Sequence, residues 1–539
     1  MNRKRRVFCV GLDGGTWTVL QPLMEAGSMP NLTALAHEGI SGIHHSTIPP
    51  ITPAAWSTFM TGCNPGKHGI FDFQGYNRQD EEAYIVNATN LLVPTLWQIL
   101  SELGLRVAVV DLPMTYPPPR LNGVLISGLP TPNRGSIFTY PASLQDEIER
   151  HLGYPWPLLY EEEQQHGLHT NLEDFLDLMR RFIHSRGEAM LYLLQREPWD
   201  FAFIQFQCLD FLQHPFWKFL DPGHPAFSQE QYRKLAAEFF VPLDAMLGKL
   251  FAAAASSMGP ETLRVVVSDH GFQRQRTRVE LNHWLYQRGF LSAQNAPLSS
   301  WQRYAELLRR IDVFHLRKRL LSKSTHATLA RILNQQMIDR KRSVAWAFSS
   351  FWGYLYFGSQ ASAANIERLL NCLQDWRDPQ TGAPIVRAIH RAHTIYHGEA
   401  LERLPDLIVE PMPGYSFASK TYFRSGKVFS QVKDDEALIG HHAPEGIYLL
   451  AGPNVRKRNN GHSSTVVDLQ DLAPTLLYWM HLPVPQHMDG VVRAEWFDLA
   501  TPPYAPEYAA KPFEHVSETI LTKSEQEEIK ARLRSLGYL

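Results

Sequence analysis

The chain has little of what would place it outside the ordinary globular proteins. Its 539 residues include four cysteines, Cys9, Cys63, Cys208 and Cys372, widely spaced and without a Cys-x-x-Cys pair. That spacing argues against both a disulfide framework and a cysteine zinc site, and makes a reducing, cytoplasmic setting the expectation. Net charge is small as well. A balance of -2 at pH 7 and a pI near 6.9 leave no overall basic field, so nucleic acid is not expected as a bulk partner. Long apolar runs are missing: after the basic start at residues 1–6, the run over 7–12 meets Asp13, too short for a signal-peptide core, and no transmembrane segment is expected. No internal repeat or low-complexity segment stands out, and composition assigns no oligomeric state.

What is present is enough chain for a large core. At 539 residues it exceeds the size at which single cores usually stop growing, so a discontinuous domain with insertions, or two domains, is expected. The most informative stretch is Val265-Val266-Val267-Ser268-Asp269-His270-Gly271-Phe272. Three β-branched residues bounded by turn signals predict a strand buried on both faces. Asp269 and His270 then fall at its carboxyl end, where open α/β sheets place their binding crevices. A hard oxygen beside an imidazole suits zinc or manganese, although an aspartate there also fits a simple cap.

Other strand ends repeat the theme. Residues 7–12 predict a first core strand closed by Asp13-Gly14-Gly15, which alone fits a turn aspartate. Thr52 followed by Pro53, helix formers and Gly62 predicts a helix with Thr52 as its N-cap. That helix start favours a phosphate, and its hydroxyl would be a nucleophile only if a metal lowered its pKa. Strands are also expected over 106–111, 123–127, 201–206, 406–410 and 446–452, with a helix over 361–375 and a peripheral helical layer over 131–200. After the strand at 201–206, Asp210 and His214 are four apart, on one helical face, where one metal could take both or a simple surface pair could form. His462 lies on a polar loop, 459–464, and has no core-packing explanation; His442, in Gly440-His441-His442-Ala443, has no assigned role. Basic clusters over 301–319 and 329–342 predict a helical insertion, and Ser524 with Glu527 predicts a capped surface helix at the end of the chain.

Taken in order, Asp13, Thr52 before Thr61-Gly62, Pro65-x-x-His68-Gly69-Ile70, Asp210-x-x-x-His214, Ser268-Asp269-His270-Gly271 and Gly461-His462 resemble the nucleotide pyrophosphatase/phosphodiesterase branch of the alkaline phosphatase superfamily. The resemblance implies an α/β three-layer sandwich with a mostly parallel central sheet. It also implies that Asp13, Thr52, Asp269 and His270 hold one divalent ion while Asp210, His214 and His462 hold a second, with zinc the first candidate and manganese the other. Two ions roughly 3.5–4 Å apart would clamp an in-line displacement on a small phosphate ester, with Thr52 forming a phosphothreonine. One departure bears on substrate: Phe73 stands where nucleotide-cleaving relatives have a phosphate-binding asparagine. The expected organisation is a core over 1–278, a basic insertion over 279–343, a second core part over 344–500 and a tail over 501–539. Phosphodiester hydrolysis is the first expectation. The alternatives are phosphomonoester or phosphonate hydrolysis, phosphoryl transfer, or a catalytically silent anion binder.

Overall fold

The apolar runs of the sequence lie side by side in one sheet. The computed structural model describes residues 5–78, 82–157, 171–293, 338–348, 351–419, 427–434, 436, 438–457, 463–499 and 521–535. Two compact units divide the chain: Met1–Arg274 with Tyr396–Leu404 and Lys433–Leu539, and Gln275–Ile395 with Pro405–Val432.

The first unit is built on a nine-stranded mixed sheet. Its order is Ser463–Asp468, Ile40–His45, Glu445–Ala451, Thr262–Val267, Arg6–Leu12, Phe201–Phe206, Val107–Leu112, Gly123–Ser127 and Thr139–Tyr140. Five of the eight neighbouring pairs are parallel, so the sheet is mostly parallel as expected. Thr262–Val267 and Arg6–Leu12 pair at its centre, which explains the apolar runs over 265–267 and 7–10: a strand flanked and covered on both faces has no solvent side there. Val265, Val266 and Val267 are at most 1% exposed, and each such burial is worth roughly 1.5–3 kcal/mol.

Several expectations shift. The helix over Leu172–Arg196 is not peripheral: thirteen of its residues are buried, among them Phe175, Leu176, Met179 and Met190. Its charged residues occupy the remaining face and masked the apolar stripe. Where a polar loop was read over 459–464, a strand begins at Ser463. The terminal helix, Lys523–Ser535, is capped by Thr522 with Glu525 rather than by Ser524, and it buries Ile529 and Leu533 instead of lying on the surface. The helical run Gln229–Ser257 is long and apolar enough by composition and length to cross a membrane, and half of its apolar window is buried in the fold.

The second unit is larger than the expected 279–343 insertion. Strands Ala345–Ala347, Gly353–Phe357, Leu407–Pro411 and Val386–Arg391 form their own antiparallel sheet, so part of the span read as a second core segment, 344–500, belongs here. These strands are apolar because Trp284, Trp376 and Phe417 stack above a separate small core. The basic span 301–319 lies outside the described residues, as does most of 329–342.

Candidate active site

Each predicted residue of the first cluster hangs from the carboxyl end of a central strand or from the turn after it. Asp13 follows Arg6–Leu12, and the turn behind it needs Gly14, whose φ of +68° is the left-handed region. Asp269 and His270 follow Thr262–Val267, the strand next door. Thr52 is the first residue of the helix Thr52–Thr61, with Ile51 as N-cap. The expected threonine cap is therefore displaced by one position, and its physical consequence is useful: the hydroxyl is not spent on the helix backbone. Thr52 Oγ1 instead lies 3.3 Å from His270 Nε2.

Asp210 and His214 occupy successive turns of the helix Cys208–Leu220, with His214 Nε2 3.5 Å from Asp210 Oδ1. The third partner is His442, on the short strand Gly440–Ala443. Its Nε2 is 3.1 Å from Asp210 Oδ1 and 3.2 Å from His214 Nε2, and its ring stacks on His270 at 3.7 Å. His462, the residue assigned to this place from the sequence, lies outside the described residues. The signal that pointed to His442 was available: like Asp13, Asp269 and His270, it lies beside a core strand, Glu445–Ala451.

Hydrogen-bond direction decides what these groups can do. His214 Nδ1 faces Gly440 O, His270 Nδ1 faces Gly271 O, and His442 Nδ1 faces Pro50 O, each at 3.1 Å. A carbonyl only accepts, so each Nδ1 carries the proton and each Nε2 presents a lone pair inward. Asp13 Oδ2 accepts from Trp56 and Gln205, and Asp269 Oδ1 accepts from Gly14 N. Their other oxygens, Asp13 Oδ1 and Asp269 Oδ2, are buried and receive no donor among the described residues. Two imidazole nitrogens 3.2 Å apart and two buried carboxylate oxygens that receive no donor among the described residues are arranged as a cation's ligands would be. The donor set therefore fits divalent metal, with oxygens and imidazoles on both sides. Asp13, Asp269 and His270 form one group of mutually close ligand atoms, and Asp210, His270 and His442 another.

Electrostatics agree. All of these side chains are at most 2% exposed. Burial, then Asp269 and Asp210, push the Asp13 carboxyl well above the usual range; burial and Asp210 do the same to Asp269, against the Gly14 hydrogen bond. Burial pushes Asp210 up too, but the His214 and His442 rings outweigh it and hold this carboxyl low. Burial, followed by His442, holds His270 well below the ordinary imidazole value, and burial lowers His442 against the pull of Asp210. Carboxylates strained by their own crowding and neutral imidazoles are what a cation binds best. Phe272 packs edge-on against His214 and His442 and closes the apolar side. Phe73 is fully buried and brings no polar group.

A mostly parallel α/β sheet thus gathers buried carboxylates, imidazoles and a threonine hydroxyl on one side of its centre. The family model for type I phosphodiesterase / nucleotide pyrophosphatase matches residues 7–444, and the chain belongs to that family of phosphoester hydrolases. No curated protein matches the sequence. Among solved structures, phosphonoacetate hydrolase from Sinorhizobium meliloti 1021 superposes with a TM-score of 0.54 at 14% identity, covering 89% of this chain and 95% of that one. Human ectonucleotide pyrophosphatase / phosphodiesterase 5 superposes with a TM-score of 0.51 at 12% identity, covering 92% and 100%. At these identities the likeness is one of fold.

Proposed function

We propose that this protein is a metal-dependent phosphoric ester hydrolase that works through Thr52, with phosphodiesters as its first substrate class. The observation that carries the reading is the clustering of the His214, His270 and His442 Nε2 atoms with two carboxylate oxygens that receive no donor among the described residues, the Thr52 hydroxyl lying 3.3 Å from His270 Nε2. Asp13, Thr52, Asp269 and His270 would hold one ion; Asp210, His214 and His442 would hold the other, with zinc or manganese both suited to these donors. Bound there, the ions would supply Lewis acidity toward phosphoryl oxygens and toward the attacking hydroxyl.

The chain's own groups do the rest. Thr52 Oγ1 supplies the electron pair for the new O–P bond as the ester oxygen departs, and hydrolysis of the phosphothreonine returns the hydroxyl. The start of the helix Thr52–Thr61 turns its positive end toward the phosphoryl group. Phe272 and the stacked His270 and His442 rings keep bulk water from the reacting atoms. A second reading, phosphonate or phosphomonoester hydrolysis, is favoured by one observation: buried Phe73 stands where a phosphate-binding asparagine was expected. A solved neighbour of this fold was captured with phosphonoacetate.

The test is hydrolysis of bis-nitrophenyl phosphate beside nitrophenyl phosphate and phosphonoacetate, with zinc or manganese supplied and Thr52→Ala as control. Diester turnover lost in the variant supports the first reading. Preference for the monoester or the phosphonate supports the second, and no metal-dependent turnover on any of them favours a silent anion binder.

A further inference from the structure

We propose that Gln205 and Trp56 are positioning residues that clamp Asp13 so that only its Oδ1 is offered to the metal. This rests on the metal reading above. Gln205 Nε2 lies 2.7 Å and Trp56 Nε1 3.0 Å from the same oxygen, Asp13 Oδ2. Both donors, like Asp13 itself, are 0% exposed, so water does not compete for that oxygen. With two donors in place, the carboxylate cannot turn both oxygens toward the ion without leaving an amide N–H and an indole N–H unpaired in the core. Oδ1, which receives no donor among the described residues, is thereby held 3.8 Å from His270 Nε2, on the side of Thr52 and Asp269.

The clamp is built into the sheet. Gln205 sits directly opposite Gly11 in the parallel pairing of Phe201–Phe206 with Arg6–Leu12. A Cβ on residue 11 would come within 2.8 Å of Trp56 Cη2 and 3.1 Å of Gln205 Cγ, so glycine is what lets both side chains close over the strand to reach Asp13. Trp56 is fixed in turn by edge-on contacts with Phe59 and Phe203 at 5.7 and 5.9 Å. The partner metal-site carboxylate, Asp269, is held by an equivalent device: Gly14 N donates to its Oδ1, and Gln213 Nε2 secures Gly14 O at 2.8 Å. Each carboxylate thus spends one oxygen on the protein and keeps one for the ion, the usual division of labour around a bound metal.

Gln205→Met keeps length and volume while removing the donor, and a cavity of about 30 Å³ bordering Gln205, Asp111 and Arg186 gives the thioether room to settle. Trp56→Phe keeps the ring packing and removes the other donor. Zinc affinity of the purified proteins, measured by competition with a chromophoric chelator, should fall about 10- to 100-fold in each variant at one of two sites. The double variant should lose less than the product of the single losses, because both act on one oxygen. Melting of the metal-free proteins in chelator, read alongside, should stay near that of the unmodified chain and certifies that the variants fold. Unchanged zinc affinity in either folded variant overturns the clamp while leaving the metal reading intact. An unmodified chain that takes up no zinc overturns the metal reading and the clamp together.

Discussion

Asp269→Asn should move stability in opposite directions with and without metal. Asp269 Oδ1 accepts from Gly14 N at 3.0 Å, and an asparagine carbonyl keeps that bond. Oδ2 lies 3.2 Å from His270 Nε2, a lone pair facing a carboxylate oxygen, and the substitution places an N–H donor there instead. It also removes one of three buried carboxylates in a single chamber. Replacing a buried ionic group by a neutral one of the same shape typically stabilises by about 1–4 kcal/mol. At roughly 1 °C per kcal/mol for a chain this long, the metal-free variant should melt about 1–4 °C higher than the unmodified protein. With zinc at a thousand times its dissociation constant, each intact site contributes about 4 kcal/mol, and the variant forfeits the one that Asp269 serves. The melting curves should therefore exchange order between chelator and zinc in a scanning-fluorimetry titration.

The pH dependence gives an independent check. Burial and Asp210 raise the folded-state pKa of Asp269, so the folded protein holds protons that the unfolded chain releases. The resulting penalty is negligible below the unfolded carboxylate value near 3.9 and grows as pH rises above it, through the folded value. In chelator, the advantage of Asp269→Asn should widen between pH 5 and pH 8. A variant that melts lower than the unmodified chain in chelator, or that gains as much from zinc, would refute the reasoning.

Further outcomes follow from the same geometry. His442→Ala should lower bound metal from two ions toward one and cut turnover by at least about 100-fold, while His462→Ala keeps both; elemental analysis beside activity decides, and the reverse pattern moves the ligand to residue 462. Thr52→Ala should lose about three orders of magnitude in turnover or more while retaining metal at the Asp210 cluster, so a variant with near-normal rates removes the nucleophile. Buried His68, 3.0 Å from Thr58 Oγ1, is held down to about 3 by burial, against about 6.5 unfolded. Its contribution is complete above pH 6.5 and is lost as pH falls toward 3, about 5 kcal/mol in total, so His68→Gln should flatten the fall of the urea midpoint between pH 6.5 and 4 by close to one proton's slope. An equal slope in both proteins would show that His68 titrates normally.

The sequence was most legible where burial leaves no choice of residue. Residues 265–267 and 201–204 are continuous apolar runs because both faces of a central strand are covered. Ile40–His45, with two histidines in six residues, and Thr139–Tyr140, with two residues in all, carry no such pattern and went unread. The extent of the second unit was hidden for a related reason. Gly353–Phe357 and Leu407–Pro411 look like core strands because they are, but of a separate small sheet, and an apolar strand does not say which sheet it joins.

The site was legible to the level of residue type and no further. Asp13, Thr52, Asp210, His214, Asp269 and His270 stood out singly because each follows a core strand or opens a helix, and the resemblance of their order to a known family joined them into one set. What composition does not tell is which end of each group is already spent. The place of His442 beside Asp210, the service of Gln205 and Trp56 to one oxygen of Asp13, and the backbone carbonyls that face three imidazoles are all matters of hydrogen-bond direction. Partners 43 and 192 residues from Asp13 set that direction, so no local spacing could reveal it. The reactivity expected of Thr52 depends on the same accounting. Its hydroxyl is available because the helix begins one residue earlier than its sequence suggests, and Ile51, with no side chain to bond, takes the capping position. A change that placed an ordinary cap at residue 51, Ile51→Ser, would add a cap worth about 1 kcal/mol while giving up about 2–5 kcal/mol of burial at this 3% exposed position. Because the serine would compete for the same backbone amides that should receive the phosphoryl oxygens, it should also weaken substrate binding, seen as a higher KM with metal content unchanged. An unaltered KM in that variant would mean that the helix start does not meet the substrate.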